Sequence, residues 1–353
     1  MKGFIKRILI FIGFPLVIMW TIEIFCLPVN FFNHRNWEAV LLKTNIPHYG
    51  PLYPNMFLSS VEVGDLAHHT NYAIRKKVIW KTDALGFRND SVFKNPDVIV
   101  IGDSFINGTS MTQTDIFTCQ LSKAFNNRYK IYNLAPFTFN NYVELLEQGI
   151  IKKPKIIIFS CVEKTVPEVF TSTGKNYNSI REKVKNKIRK SNVAPIFDRL
   201  TRFYMINWIK ARINKSKGTG IQSEFNKKMF FLRGEAVEPR NQIDVYNTAK
   251  AITSYKKYCD KIGVKFLFLP MPNKETVYYD FVPLPKQPNY LFELCDLLNK
   301  DSIPNINTLK VYNSNRRSSQ LMYQLDDTHW NPLGVKLISN AVKIKLVETH
   351  GLF

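Results

Sequence analysis

Four short apolar runs between residues 97 and 270 constrain this chain more than any other feature. Asp97–Asp103, Tyr129–Leu134, Lys155–Cys161 and Val264–Pro270 have the length and the Val/Ile/Leu/Phe content of buried strands. Segments with helical spacing lie between them: Phe117–Phe125, Asn141–Ile150 and Asn241–Ile262. The last places Val245, Ala249, Ile252 and Cys259 on one face and meets Gly263 as a stop. Strands alternating with helices predict an α/β fold whose parallel sheet is covered on both faces. At 353 residues, 45% of them hydrophobic, the chain can bury a sizeable core.

The flanks differ from this core. Lys2, Lys6 and Arg7 precede Ile8–Leu27, an apolar run interrupted only by Glu23 and Pro15. A run of about twenty residues has the reach of a hydrocarbon core, and no small-residue cleavage site follows it. Residues 1–30 are therefore expected to be a retained signal anchor with a single transmembrane helix. The basic flank would keep the N-terminus cytoplasmic and the rest of the chain extracytoplasmic, on the periplasmic side. Residues 31–92, rich in proline, read as an extended lead-in. Residues 93–353 read as the α/β domain, with an insertion at about 172–240. Between Lys175 and Lys217 that insertion carries thirteen Lys or Arg against Glu182 and Asp198. Ile180, Val184 and Ile188 recur four apart, so one side of a basic helix is apolar; it reads as a solvated cap or as a surface for anionic lipid or an acidic glycan. The net charge of +21 favours acidic partners. Nucleic acid fits the charge but not the expected location. The five cysteines, Cys26, Cys119, Cys161, Cys259 and Cys295, show no paired short spacing, hence no disulfide framework and no metal motif, and read as apolar filler.

The first strand ends in "VIVIGDSFINGTSM", Val98–Met111. A serine at the carboxyl end of a parallel strand faces the crevice where such sheets bind ligands. Gly102 permits the tight turn, and Asp103 can bond the turn backbone. Near the other end stands "LDDTHWNPLG", Leu325–Gly334. A nucleophilic serine needs a base, and the base needs an orienting carboxylate. His329 with Asp327 or Asp326 supplies both within four residues. Asn331, Pro332 and Gly334 then start the last helix.

These two blocks resemble those of the SGNH (GDSL-like) hydrolases. The Asp-Thr-His-Trp string, and "FLPMPNKETVYYD" with its Pro-x-Lys-x-x-x-Tyr stretch, are similar to the alginate O-acetyltransferase branch. "TDALGFRND" resembles the lead-in of its membrane-anchored members. The resemblance implies a flavodoxin-like three-layer SGNH fold. It implies Ser104 as nucleophile, His329 as general base and Asp327 as the orienting acid, with Asp326 a rival at the wider family's Asp-x-x-His spacing. The middle departs from the pattern: Ala135 stands where the family has an oxyanion-hole glycine, and "FSCVEK" lacks the family's Asn. Oxyanion candidates are then the backbone N–H groups of Ser104 and Ala135 and the side chains of Asn107, Asn140 or Asn141. Trp330 is placed to stack on a sugar. No metal or organic cofactor is implied. The activity implied is O-acyl transfer, most simply of acetyl, to a glycan acceptor, with a multi-spanning membrane acyltransferase as donor. A serine esterase or deacetylase, and a glycan-binding scaffold without activity, stand as alternatives.

Overall fold

The alternating runs build one parallel sheet, and its strand order decides where a site can form. In this computed structural model every residue is described except 1, 34, 94, 172, 173, 175, 176, 178, 215–217, 219, 233–239, 283, 285, 317–319, 352 and 353. In chain order, α1 (Lys2–Ile8) and α2 (Phe14–Phe25) precede α3 (Asn36–Val40) and the antiparallel pair β1 (Phe57–Glu62) and β2 (Lys76–Lys81). The sheet region follows: β3 (Val98–Ile101), α4 (Ser104–Asn107), α5 (Phe117–Ala124), β4 (Ile131–Leu134), α6 (Phe139–Glu147) and β5 (Ile156–Val162). The insertion holds α7 (Ile180–Lys190), α8 (Val193–Thr201), α9 (Tyr204–Ile213) and a two-stranded ribbon, β6 (Ile221–Gln222) with β7 (Phe230–Phe231). The chain ends with α10 (Gln242–Lys261), β8 (Lys265–Met271), α11 (Lys274–Val277), α12 (Tyr290–Lys300), α13 (Thr308–Asn315) and α14 (Pro332–His350).

The sheet order is β4-β3-β5-β8, all parallel, with Val98 opposite both Ile131 and Ile156, and Ile156 opposite Lys265. The step from β3 to β4 runs one way across the sheet and the step from β5 to β8 runs the other. Right-handed crossovers therefore lay α5 and α10 on opposite faces. Both faces are covered, so β3 and β5 are buried along their whole length, and their sequences read as unbroken apolar runs. Because the order reverses beside β3, its carboxyl end is the switch point where a crevice opens. Ser104 follows that end by three residues. Asn241 and Asn331 start α10 and α14 by accepting the N–H groups of Asp244 and Gly334 at 2.9 and 3.0 Å.

The N-terminal expectation is corrected. Among the described residues no helix is long and apolar enough to cross a membrane, so residues 1–30 do not form the expected transmembrane helix. Pro15 has no N–H to donate and stands in the first turn of α2, and the backbone just before it opens into a π-helical turn at Leu9–Gly13. Residues 2–25 are thereby divided into α-helices of 7 and 12 residues on either side of that turn, against the roughly 20 a crossing needs. Its acid is also engaged: Glu23 is buried and accepts the N–H groups of Tyr204 and Met205 at 2.7 and 3.1 Å.

The segment 31–92 differs from an extended lead-in, because it carries α3 and the β1–β2 pair. Buried Glu62 on β1 accepts the Asn36 N–H at 2.6 Å. Arg88, fully buried beneath Trp80, donates to the carbonyls of Asn107, Gly108 and Met111 and so fastens this segment to the turn after Ser104. Burial lowers the Arg88 guanidinium to about 9, with Glu62 opposing the shift. The cysteines are all free: Cys161, Cys259 and Cys295 are buried as expected, Cys119 is half-buried, and Cys26 is exposed, so it is not core filler.

Segment and domain meet closely at Gly64, where an added Cβ would lie 2.0 Å from the Asp326 carbonyl oxygen, which is backbone and cannot swing aside. Gly64→Ala should therefore destabilise the fold by about 1–3 kcal/mol, the usual cost of overpacking, and should slow turnover as well. Thermal melts and ester-hydrolysis rates of the variant check both parts; an unchanged melt would separate the segment from the domain.

Candidate active site

Ser104 is presented by a short, over-determined turn. An added Cβ on Gly102 would meet Ile106 Cγ1 at 2.5 Å, so only glycine lets the strand turn this tightly into α4. Asp103 caps α4 by accepting the Phe105 N–H and reaches across to accept the Val162 N–H, both at 2.9 Å, so it ties the ends of β3 and β5 together. Burial raises the Asp103 carboxyl, and those two N–H groups oppose the rise.

The distant block arrives from the other side. His329 Nε2 lies 2.8 Å from Ser104 Oγ, and His329 Nδ1 lies 2.5 Å from Asp327 Oδ1. With Nδ1 protonated toward Asp327, Nε2 is free to accept the serine proton. Asp327 is buried and fully engaged: Oδ1 also accepts the His329 N–H at 3.0 Å, and Oδ2 accepts Ser110 Oγ at 2.8 Å and the Asp65 N–H at 3.2 Å. Burial opposes its ionisation, but the imidazole beside it, with Arg35 and Lys76, holds its carboxyl well below the usual range. Asp326 points elsewhere: it pairs with Lys76 at 2.8 Å and accepts the N–H groups of Gly64 and Ile74 at 2.9 Å. Geometry thus decides between the two acids the sequence left open.

The loop bearing these residues is clamped from below by Lys274. Its buried ammonium donates to the carbonyls of Phe230, Gln324, Leu325 and Asp327 at 2.7, 2.5, 3.0 and 3.1 Å, and burial lowers it to about 8. Tyr278, one helical turn on, accepts the Met322 N–H at 2.8 Å. The Pro-x-Lys-x-x-x-Tyr stretch therefore serves the neighbouring loop.

A cavity of about 360 Å³ opens in front of Ser104 and His329, and its walls include Arg35, Trp37, Asp65, Lys164, Leu232 and Asn273. None of these was singled out in the sequence. Arg35, Trp37 and Asp65 come from the lead-in and Leu232 from the insertion, in stretches with no local chemical pattern to mark them. Asp65 accepts the Thr328 N–H and hydroxyl at 3.1 Å; burial and the neighbouring Asp327 charge raise its carboxyl. Asp65, Asp327 and His329 place ligand atoms within 4.8 Å of one another, but hydrogen bonds to Thr328, Ser110 and Ser104 already account for that grouping. A larger recess of about 540 Å³, lined by Arg88, Gln113, Cys119 and Tyr129 beside β4, brings no serine–histidine pair together.

Five expected site residues are elsewhere. Trp330 is fully buried, stacks on Phe117 and donates its indole N–H to the Phe105 carbonyl at 3.1 Å, so it packs α4 and has no face for a sugar. The Ala135 N–H is taken by Asn133 Oδ1 at 3.0 Å, which removes it as a free oxyanion donor. Asn107 is fully buried within α4. Asn140, with Asn141, lines a separate recess of about 350 Å³ that adjoins the first through Asp103 and Thr165. The Ser104 N–H, at the first position of α4, has no intrahelical partner and keeps its candidacy.

The family model for the SGNH hydrolase-like domain of the acetyltransferase AlgX matches residues 228–352, which include Lys274, Asp327 and His329 but not Ser104. Solved structures with similarity include a protein described as an acylhydrolase from Bacteroides fragilis (12% identity, 72% of this chain and 90% of that one, TM-score 0.36). Others are a lipolytic protein of the G-D-S-L family from Desulfitobacterium hafniense (10%, 71% and 100%, 0.35) and an acetyl xylan esterase from the rumen bacterium Butyrivibrio proteoclasticus (10%, 80% and 69%, 0.32). No curated protein matches the chain. The protein is an enzyme of the hydrolase or acyltransferase kind. Residues 228–352 are thus similar to an SGNH hydrolase-like domain.

Two outcomes are expected from the site. Asp327→Asn should lower turnover by about 10⁴, the scale for an acid that fixes the histidine tautomer. Asp326→Asn should act mainly through stability; a larger rate loss at Asp326 would reassign the orienting acid. The second outcome concerns Glu163, which accepts the Asn273 N–H beside the cavity and is pushed up by burial to about 7. Its folded form holds a proton that the unfolded chain has already lost between about pH 4.5 and 7, so its contribution to stability falls as pH rises across that window. Glu163→Gln should flatten this part of the stability–pH curve and gain roughly 3 kcal/mol on the parent above pH 7. Denaturant melts across that range check it, and parallel curves would exclude Glu163 as the source.

Proposed function

We propose that this protein is an extracytoplasmic O-acyltransferase that moves an acyl group, most simply acetyl, to a hydroxyl of a cell-surface or secreted glycan through an acyl-Ser104 intermediate. The observation that carries the reading is the unbroken contact from Ser104 Oγ through His329 to Asp327 at the wall of an open cavity. The match of the His-bearing region to an acetyltransferase domain supports transfer over other acyl chemistry.

The steps follow from the hydrogen bonds. His329 Nε2 takes the Ser104 proton as Oγ attacks the acyl carbonyl, and the carbonyl π pair moves to oxygen. The Ser104 N–H is the first donor to that oxyanion, and Asn273, which lines the same cavity, supplies a carboxamide for a second. Losing one such donor costs about 10²–10³ in rate. The tetrahedral species collapses, the bond to the donor oxygen breaks, and His329 returns the proton to that leaving oxygen. Acyl-Ser104 remains. His329 then takes the proton of the acceptor hydroxyl, which attacks the acyl carbon, and Ser104 leaves with the proton restored. Asp327 stabilises the imidazolium in both halves without taking the proton.

Water and a sugar hydroxyl compete for the same intermediate, and positioning decides between them. A well-placed second substrate can gain about 7–11 kcal/mol of effective concentration over a diffusing one. Trp37, partly exposed in the cavity wall, takes the stacking role that buried Trp330 cannot fill. A multi-spanning membrane acyltransferase remains the proposed source of acyl groups.

The full chain, given an acetyl ester donor and a panel of oligosaccharides, should yield acetylated sugar by mass spectrometry. Ser104→Ala should abolish both transfer and acetate release. Acetate release undiminished by every acceptor, with no acetylated sugar, would replace this reading with a serine esterase acting on acylated glycans.

A further inference from the structure

A second surface lies away from the cavity, where the N-terminal helices meet the insertion. The two are joined by more than the Glu23 contacts. Trp20 donates its indole N–H to the Leu200 carbonyl at 3.0 Å, and Arg199 reaches the carbonyls of Glu23 and Leu27 at 2.9 and 2.5 Å. On the far side, α7 is fixed to the α/β domain by Arg189, which meets Glu144 at 2.8 Å and Gln148 at 2.9 Å.

What this unit shows to solvent is apolar and cationic together. Ile180 and Val184, one turn apart on α7, are 81% and 53% exposed, and exposed Arg181, Lys183, Lys187 and Lys190 share the helix with them. Ile196 and Phe197 on α8 and Trp208 and Ile213 on α9 are exposed as well. Arg212 lies over the Trp208 ring. Between α2 and the start of α9 runs a groove of about 270 Å³ walled by Leu16, Val17, Trp20, Phe203 and Ile206.

We infer that this face is a docking surface for an anionic phospholipid bilayer, with the helices lying along the headgroup boundary. An amphipathic helix whose exposed apolar residues alternate with cations is the chemistry that partitions into that boundary. Exposed apolar area of this extent is uncommon on a protein with no partner for it. Charge selects among occupants. Arg181, Lys183, Lys187 and Lys190, all exposed on α7, would set two copies of this face against each other with like charges. An acidic glycan would answer the cations but leave Ile180, Val184, Ile196 and Ile213 in water. Anionic headgroups above acyl chains answer both, and the apolar groove is of a kind to take part of one chain.

Flotation of the full chain with vesicles of phosphatidylcholine, alone or with about one-third phosphatidylglycerol, tests this independently of the reaction. Binding should be at least about tenfold tighter on the anionic vesicles at low salt and should weaken as salt rises. Replacing Arg181, Lys183, Lys187 and Lys190 by Gln should remove that preference while ester hydrolysis persists. Ile180→Ser with Val184→Ser should weaken binding to both vesicle types. Equal partition on the two, or a Gln variant that binds like the parent, overturns the inference. So does retention by a soluble acidic polysaccharide without vesicle preference, which would give the cations to a glycan. Self-association that lipid leaves unchanged would give the face to a second copy.

Discussion

The site depends on keeping one buried carboxylate ionised and aimed. Asp327 has no access to water, and an ion stripped of solvent is tolerated only when hydrogen bonds and opposite charge replace what it lost. Four donors do so: the imidazole and N–H of His329, the Ser110 hydroxyl and the Asp65 N–H. They come from three separate parts of the chain. The tautomer of His329, and with it the basicity offered to Ser104, is therefore a property of the assembled fold.

That dependence explains why the lead-in cannot be spare chain. The Asp65 N–H bonds Asp327 while its side chain holds Thr328, and Gly64 lets the backbone come close enough for both. Arg88 performs the matching task on the serine side by fixing the carbonyls that follow α4. Nucleophile and base belong to elements separated by 225 positions, and the first ninety or so residues hold both in register.

How much of this was legible depends on the range of the interactions. The four core strands announced themselves because burial on both faces leaves no polar alternation, and the Ser104 and His329 blocks because their chemistry is packed into short strings. The β1–β2 pair did not: the inward positions of β1 are Leu58, Ser60 and Glu62 and the outward ones include Phe57 and Val61, so its alternating burial has no matching alternation of hydrophobicity in the sequence. Trp330 misled because proximity to His329 in sequence says nothing of direction; alternate residues of an extended loop face opposite ways, and the indole turned inward to Phe105 and Phe117. Ala135 misled because a free N–H cannot be told from one already bonded to a side chain two residues earlier. The N-terminal run met every compositional demand of a spanning helix, yet composition does not report where the hydrogen-bond ladder breaks ahead of Pro15.

The choice of lysine at position 274 follows from the same bookkeeping of charge and donors. Its ammonium meets four carbonyls that converge from different directions, which a compact head with three rotating donors can serve and a planar guanidinium fork cannot. Its charge is also needed. Glu275 first, then Asp327, Asp65 and Asp326, oppose by their fields the loss of the Lys274 proton that burial promotes. Methionine could fill the volume but would strand the carbonyls of Gln324, Leu325 and Asp327 without donors. One of those carbonyls belongs to Asp327 itself, so the clamp and the catalytic carboxylate share a residue. Because Phe230, from the insertion, supplies the remaining carbonyl, the insertion closes the underside of the site as well as carrying the exposed helices.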